Sequence, residues 1–259
     1  VAGWTISERP HAVVGTLDGG GLNSLDEEAL GGLDALVDRA AGDQDVRALV
    51  LTGAGSSFCV GLDLGLLGRA FDDHDYFLDV VGRFHAVLRR IEALPVPVVA
   101  AVNGTTRAGG FELLLACDLV VVADEARIAD HHLAVGMLPG GGASARLPRL
   151  VGPQRAREIL FTGRFLTGPE AADVGLALRS VPGERLLETA LELAAGIAGN
   201  PRHTLGRLKA LLDEQDGLPV AEACRVELAH FRRYLDEEPL ADDGYRAFVE
   251  KREPAWRAR

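Results

Sequence analysis

Glu112 is the acidic residue best placed for chemistry, because it lies in the apolar run Phe111-Glu-Leu-Leu-Leu-Ala-Cys117 directly after the pair Gly109-Gly110. A carboxylate in such a run is a candidate for acid–base work. The glycine pair lets a ligand approach the backbone closely, and the first amides of a helix starting there have no partner inside that helix. The combination suits an anionic oxygen held beside a proton-transfer group.

Competing chemistries find less support. Walker A, His-Glu-x-x-His and Gly-x-Ser-x-Gly patterns are absent, and the glycines at 19–21 and 140–142 do not fit a strand-to-helix dinucleotide fingerprint. His131 and His132 lack the further ligands of a zinc site at local spacing, so no metal site is expected. Cys59 has no His close in sequence and reads as a small core residue. Cys117 and Cys224 are read the same way, since three widely spaced cysteines without Cys-x-x-Cys suggest neither a disulfide framework nor a thiolate metal site. His74, His85, His203 and His230 fall on helical segments as surface or boundary residues.

These residues must be positioned by the elements around them. The β-branched run Val96-Pro-Val-Pro-Val-Val-Ala-Ala-Val102 predicts an interior strand before the glycine turn, with a helix over 109–117 and a strand over 119–123 after it. Earlier, strands are expected over 11–17 and 46–52, with a capping box of Ser24 and Glu27 opening a helix that runs to about 41. The turn-rich loop 53–61 leads to one long helix whose stripe is Phe77, Val80, Val81, Phe84, Val87, Leu88 and Ile91, ended by Pro95. Beyond 129 comes a loop, then a helix carrying Arg146 and Arg149, helices near 153–161 and 168–174, and a short strand near 177–181. Amphipathic helices are expected over 184–198, 201–214, 219–236 and 239–251. Strand, loop and helix recur through the first part, which predicts an α/β body over 1–200 and a helical appendage over 201–259.

At 259 residues and 47% hydrophobic content the chain can bury a full core. A formal charge of -11 argues against nucleic acid and anionic membranes as partners. No apolar run approaches a bilayer span, and Val1-Ala-Gly-Trp4 lacks the basic and apolar regions of a secretory signal, so a cytoplasmic location is expected.

Three phrases carry a resemblance. Ser57-Phe-Cys-Val-Gly-Leu-Asp63, Ala101-Val-Asn-Gly-Thr-Thr-Arg-Ala-Gly-Gly-Phe-Glu-Leu-Leu-Leu-Ala-Cys-Asp118 and Gly136-Met-Leu-Pro-Gly-Gly-Gly-Ala-Ser-Ala-Arg-Leu147 resemble successive blocks of the crotonase (enoyl-CoA hydratase/isomerase) superfamily. Leu160-Phe-Thr-Gly-Arg-Phe-Leu-Thr-Gly-Pro-Glu-Ala-Ala-Asp-Val-Gly-Leu176 is similar to its next block, and Phe248-Val-Glu-Lys-Arg-Glu-Pro254 to its C-terminal one. Nearly the whole chain is covered, in order.

The resemblance implies an α/β fold, a crotonase-type spiral of ββα units with a C-terminal helical trimerisation region. It implies a lyase or isomerase of the kind used in fatty acid metabolism, with an acyl-CoA thioester as substrate. No separate cofactor is implied, since coenzyme A enters as part of the substrate. The backbone amides of Leu62 and Gly109 would hold the thioester oxygen as an enolate forms, each donor being worth roughly 3–4 kcal/mol. Contacts to substrate or CoA are implied at Cys59, Val60, Gly61, Asp63, Gly110, Pro139, Gly140, Phe248 and Lys251. The last two belong to the segment that reaches a neighbour's CoA in a homotrimer or dimer of trimers.

Family hydratases carry one acid at the position of Glu112 and a second at the position of His132. Here the second carboxylate is replaced by an imidazole, which still accepts or donates a proton near neutral pH. Many relatives also carry a basic residue where Asp18-Gly-Gly-Gly-Leu-Asn-Ser-Leu25 has none, which leaves Arg146, Arg149 and Arg155 as sources of positive potential for CoA. A related branch, the β-diketone hydrolases typified by 6-oxocamphor hydrolase, cleaves carbon–carbon bonds without CoA and has a histidine in the loop matching Asp130-His-His132. That branch also has an acid where this chain has Gly141, and a second histidine where Gly109-Gly110 stands. A thioester hydratase or isomerase therefore ranks first, a retro-Claisen hydrolase second, and a catalytically degenerate CoA-binding protein third.

Overall fold

Strand β1 (Trp4–Arg9) turns at Pro10-His11 and pairs antiparallel with β2 (Ala12–Leu17) in a computed structural model that describes residues 3–239 and 241–256. Helix α1 (Glu27–Gly42) follows. Three times thereafter a buried strand leads to a short strand and then to helix. The first unit is β3 (Ala48–Gly53), β4 (Ser57–Cys59), α2 (Leu64–Asp72) and α3 (His74–Glu92). The second is β5 (Val98–Val102), β6 (Thr105–Arg107) and α4 (Gly109–Leu115). The third is β7 (Leu119–Ala123), β8 (Ile128–Ala129), a 3-10 turn at Leu133–Val135 and α5 (Ala143–Val151). Then come α6 (Pro153–Thr162), α7 (Gly168–Asp173), β9 (Arg179–Val181), α8 (Gly183–Ala198), α9 (Arg202–Gln215), α10 (Val220–Glu237) and α11 (Asp243–Glu250).

The large sheet has the order β1-β2-β3-β5-β7-β9, parallel from β2 onward, and β4-β6-β8 form a second, all-parallel sheet. Val98–Val102 is buried throughout, as a central parallel strand covered on both faces must be. The recurring strand–strand–helix unit is the expected α/β spiral. Two asparagines brace the turn between the sheets. Asn23 donates to the carbonyls of Ala54 (2.9 Å) and Ser57 (2.6 Å), while Asn103 donates to that of Gly55 (2.9 Å) and accepts from the Gly53 amide (3.0 Å).

Several local expectations change. The helix expected from a Ser24–Glu27 capping box is instead capped by Asp26, whose side chain accepts from the Ala29 amide at 2.7 Å. Leu25 is held extended, since its amide donates to the Gly61 carbonyl (2.8 Å) and its carbonyl accepts from the Asp63 amide (3.0 Å). The single long helix is two, because Asp73 caps the second by accepting from the Tyr76 amide at 3.0 Å. Cys59 is buried and its thiol is pushed up to about 12 by that burial, but Cys117 is only half-buried and Cys224 is exposed. The expected helix over 239–251 is seen as Asp243–Glu250, and Leu240 lies outside the described residues.

The C-terminal helices are tied to α1, α3 and the loop before β3 by cations that satisfy main-chain carbonyls. Lys209 donates to the Ile91 carbonyl (2.9 Å) and to Asp118 (2.7 Å), and Arg202 donates to the carbonyls of Val46 (2.9 Å), Ala40 (3.0 Å) and Ala41 (2.8 Å). No helix among the described residues is long and apolar enough to cross a membrane.

Candidate active site

The head of α4 is built by backbone packing. A Cβ on Gly110 would overlap the Cys59 carbonyl oxygen, and one on Gly61, at φ +94°, would lie 2.9 Å from the Gly109 nitrogen. Only glycine permits two backbone segments to approach so closely. Between them Ala108 takes φ +47° and ψ -119°, a conformation that costs about 1–3 kcal/mol for a residue with a Cβ. Its amide is anchored on the Asp130 carbonyl at 2.9 Å. The consequence is that Leu62 and Gly109 line one cavity of about 340 Å³, and neither amide has a hydrogen-bond acceptor among the described residues.

Glu112, one turn into α4, is 2% exposed and lines the same cavity. One oxygen, Oε1, accepts from the amides of Gly141 (2.6 Å) and Ala143 (3.3 Å). Burial pushes its carboxyl above the ordinary range, opposed by His132 and by those two amides. Gly141 has no room for a side chain, since a Cβ would sit 2.5 Å from Glu112 Oε2 and 2.7 Å from the Phe84 ring.

His132 reaches the cavity from the opposite wall. Its Nδ1 lies 3.0 Å from Asp130 Oδ1, and Asp130 is 1% exposed. The carboxylate fixes the tautomer, because Nδ1 must carry the donated proton, leaving Nε2 as the ring nitrogen available for proton transfer. Burial disfavours the imidazolium, but the hydrogen bond that Nδ1 donates to Asp130, the charge of Asp130 and that of Glu112 outweigh burial and raise the His132 pKa. Glu112 and His132 each favour the charged form of the other, while burial disfavours both charges.

Of the residues singled out in the sequence, Glu112, His132, Leu62, Gly109, Val60, Asp63 and Gly140 line the cavity. Cys59, Gly61 and Gly110 stand behind its wall, where they set the approach of β4 to α4. Pro139 is outside the lining, as are Phe248, which is 84% exposed, and Lys251. The arginines expected to supply free positive potential are already paired. Arg146 binds Glu92 (2.6 Å) and donates to the Gly141 carbonyl (2.7 Å), Arg149 binds Asp216 (2.9 Å), and Arg155 binds Glu158 (2.9 Å). Arg146 is therefore a brace for the turn that holds Glu112.

Sequence reasoning missed Asp130, Arg107 and His131. Asp130 had one signal, a carboxylate two residues before a candidate acid–base histidine. His131 lines the cavity with its ring fixed by the Gly163 carbonyl (3.1 Å) and by Phe165, whose centroid is 5.1 Å away. Among the described residues no cluster of three or more His, Cys, Asp or Glu side chains is placed to hold a metal ion.

The sequence and the fold are similar to those of known proteins. The family model for enoyl-CoA hydratase/isomerase matches residues 13–259. A short-chain-enoyl-CoA hydratase of Clostridium acetobutylicum is 32% identical over 232 residues, 89% of this chain and 88% of that protein. A carnitinyl-CoA dehydratase of Citrobacter koseri is 34% identical over 250 residues, 94% of each. The crystal structure of an enoyl-CoA hydratase from Bacillus anthracis superposes with a TM-score of 0.91 at 31% identity, covering 99% of this chain and 100% of that one. With sequence blocks, ββα spiral and full-length relatives in agreement, the chain belongs to the enoyl-CoA hydratase/isomerase family of enzymes.

Proposed function

We propose that the chain acts on an acyl-CoA thioester as a lyase or isomerase, through an enolate whose oxygen is held by the amides of Leu62 and Gly109. The observation that carries this reading is the convergence of those two unengaged amides, buried Glu112 and Asp130-bound His132 on one cavity. For hydration, the Glu112 carboxylate takes a proton from water as the water oxygen bonds to the β-carbon. The π electrons of the alkene move through the α-carbon to the thioester oxygen, giving the enolate. The His132 imidazolium then delivers its Nε2 proton to the α-carbon, and the carbonyl re-forms. In an isomerisation the same two groups would shuttle a proton between carbons of the acyl chain. The relatives named as hydratase and dehydratase support the reaction class.

A homotrimer, or a dimer of trimers, fits the C-terminal surface. Helix α10 buries no residue within the single chain and exposes Leu228, Phe231 and Leu235, so an apolar face awaits a partner. Phe248 and Lys251 would then reach a neighbour's CoA.

Incubation with saturated acyl-CoAs in deuterated water tests the enolate step. Exchange of the α-proton is expected, read by NMR or mass spectrometry. The Asp130–His132 pair also suits activation of water for attack on a ketone, the second reading, in which a cyclic β-diketone is cleaved without CoA. Such cleavage, with no exchange in any thioester, would replace the first reading by the second.

A further inference from the structure

One cation in the cavity is used neither by the acid–base pair nor by the oxyanion amides. Arg107, the last residue of β6, lines the cavity half-buried, and its Nε is buried without a hydrogen-bond partner. No carboxylate among the described residues pairs with it, although Glu112 and Asp63 line the cavity and Asp130 lies behind His132. Each of those is engaged elsewhere. Glu112 accepts from two amides, Asp130 holds His132 and lies behind it, and Asp63 caps α2 by accepting from the amides of Gly65 and Leu66. A buried guanidinium nitrogen left without an acceptor is costly, and an anionic ligand oxygen would relieve that cost.

The position of Arg107 in the chain says which part of a substrate it meets. It stands two residues before Gly109, so their Cα atoms are no more than about 7 Å apart. The long pantetheine arm carries the phosphates of CoA well away from the thioester, whereas the acyl chain begins at the thioester carbonyl. The remaining lining is largely apolar, with Phe77, Val81, Phe84, Met137 and Leu138, and holds no other Lys or Arg, while His132 is bound by Asp130 and used in proton transfer. Resting on the thioester reading above for the location of the acyl group, we propose that Arg107 binds a carboxylate on the acyl portion of the substrate. The preferred substrates are then thioesters of dicarboxylic acids. A guanidinium suits this task because its planar fork pairs with a carboxylate through two parallel hydrogen bonds.

The test compares glutaryl-CoA, pentanoyl-CoA and free CoA for binding to wild type, Arg107→Leu and Arg107→Lys by calorimetry, with α-proton exchange followed in parallel. Wild type is expected to bind glutaryl-CoA about ten- to a hundredfold more tightly than pentanoyl-CoA. Arg107→Leu should bring that ratio toward one, and Arg107→Lys should restore part of it, which also shows that the fold survives substitution. An unchanged ratio in Arg107→Leu overturns the proposal. So does an equal loss of affinity for all three ligands, which would place Arg107 on a CoA phosphate. Absence of exchange together with an Arg107-dependent binding ratio would remove the enolate reading while supporting the carboxylate contact.

Discussion

On the α4 side of the cavity, Gly61, Gly109 and Gly110 bring two backbone segments into contact, and the groups offered to a ligand are amides. On the side of residues 130–142 the group offered is a side chain, His132, backed by Asp130 and carried by a turn that leaves Leu133, Val135 and Leu138 exposed. The first wall is fixed by sterics, because a Cβ on Gly61 or Gly110 would lie 2.9 Å or less from main-chain atoms. The second can exchange one side chain for another without moving the wall. The glycine turn therefore tolerates little change, whereas the position of His132 can take an imidazole or a carboxylate. Glu112 joins the two, since it rides on α4 but its carboxylate is held by the Gly141 and Ala143 amides.

The largest effect should follow from the group that bridges both walls. Glu112→Gln removes the acceptor of the water proton while keeping the shape, and hydration of crotonyl-CoA should fall by about 10²–10⁴-fold, measured by the loss of enoyl absorbance. A rate close to wild type would remove Glu112 from the mechanism.

The same substitution on each wall sharpens the contrast. Gly110→Ala should destabilise the protein by about 2–3 kcal/mol in urea unfolding, because its Cβ meets the Cys59 carbonyl. Gly140→Ala, whose Cβ would lie 3.4 Å from Val81 in ordinary contact, should change stability by no more than about 0.5 kcal/mol. Equal costs would break the distinction drawn here.

The smallest effect concerns the side-chain wall and is read in a pH profile. As the proton donor, His132 is active below its pKa, and its raised pKa extends activity to higher pH. As the acceptor, Glu112 is active above its pKa, so its raised pKa places the acidic limb above the ordinary carboxylate range. Asp130→Asn removes the charge and weakens the hydrogen bond that favour the imidazolium. The alkaline limb should then move to lower pH with kcat only modestly reduced at the optimum. An alkaline limb that stays in place would show that His132 does not supply the proton.

Much of this was legible in the residues. The β-branched run ending at Val102, the glycine turn and the apolar helix with Glu112 announced β5, the turn into α4 and one candidate carboxylate, because burial on both faces and close backbone approach each restrict residue type strongly. The short strands β4, β6 and β8 were not legible, since two or three residues acquire strand geometry only by pairing with one another. Strand β1 escaped as well. Its alternation is short, and Trp4 is buried only because its indole donates to the Ala29 carbonyl 25 residues away. The roles of Asn23, Arg146 and Arg107 left no periodic signal, and each depends on partners, or their absence, that only folding brings about.

The sequence by itself determined the α/β body and the candidate acid, through patterns that are local: apolar strands, glycine at crowded turns, amphipathic helices. Tertiary structure alone decided that Asp130 orients His132, that Arg146 is spent on Glu92 and Gly141, and that Arg107 is left unpaired in the cavity. Charge pairing and hydrogen bonding act over a few ångströms of space whatever the separation along the chain, so their outcome follows from packing.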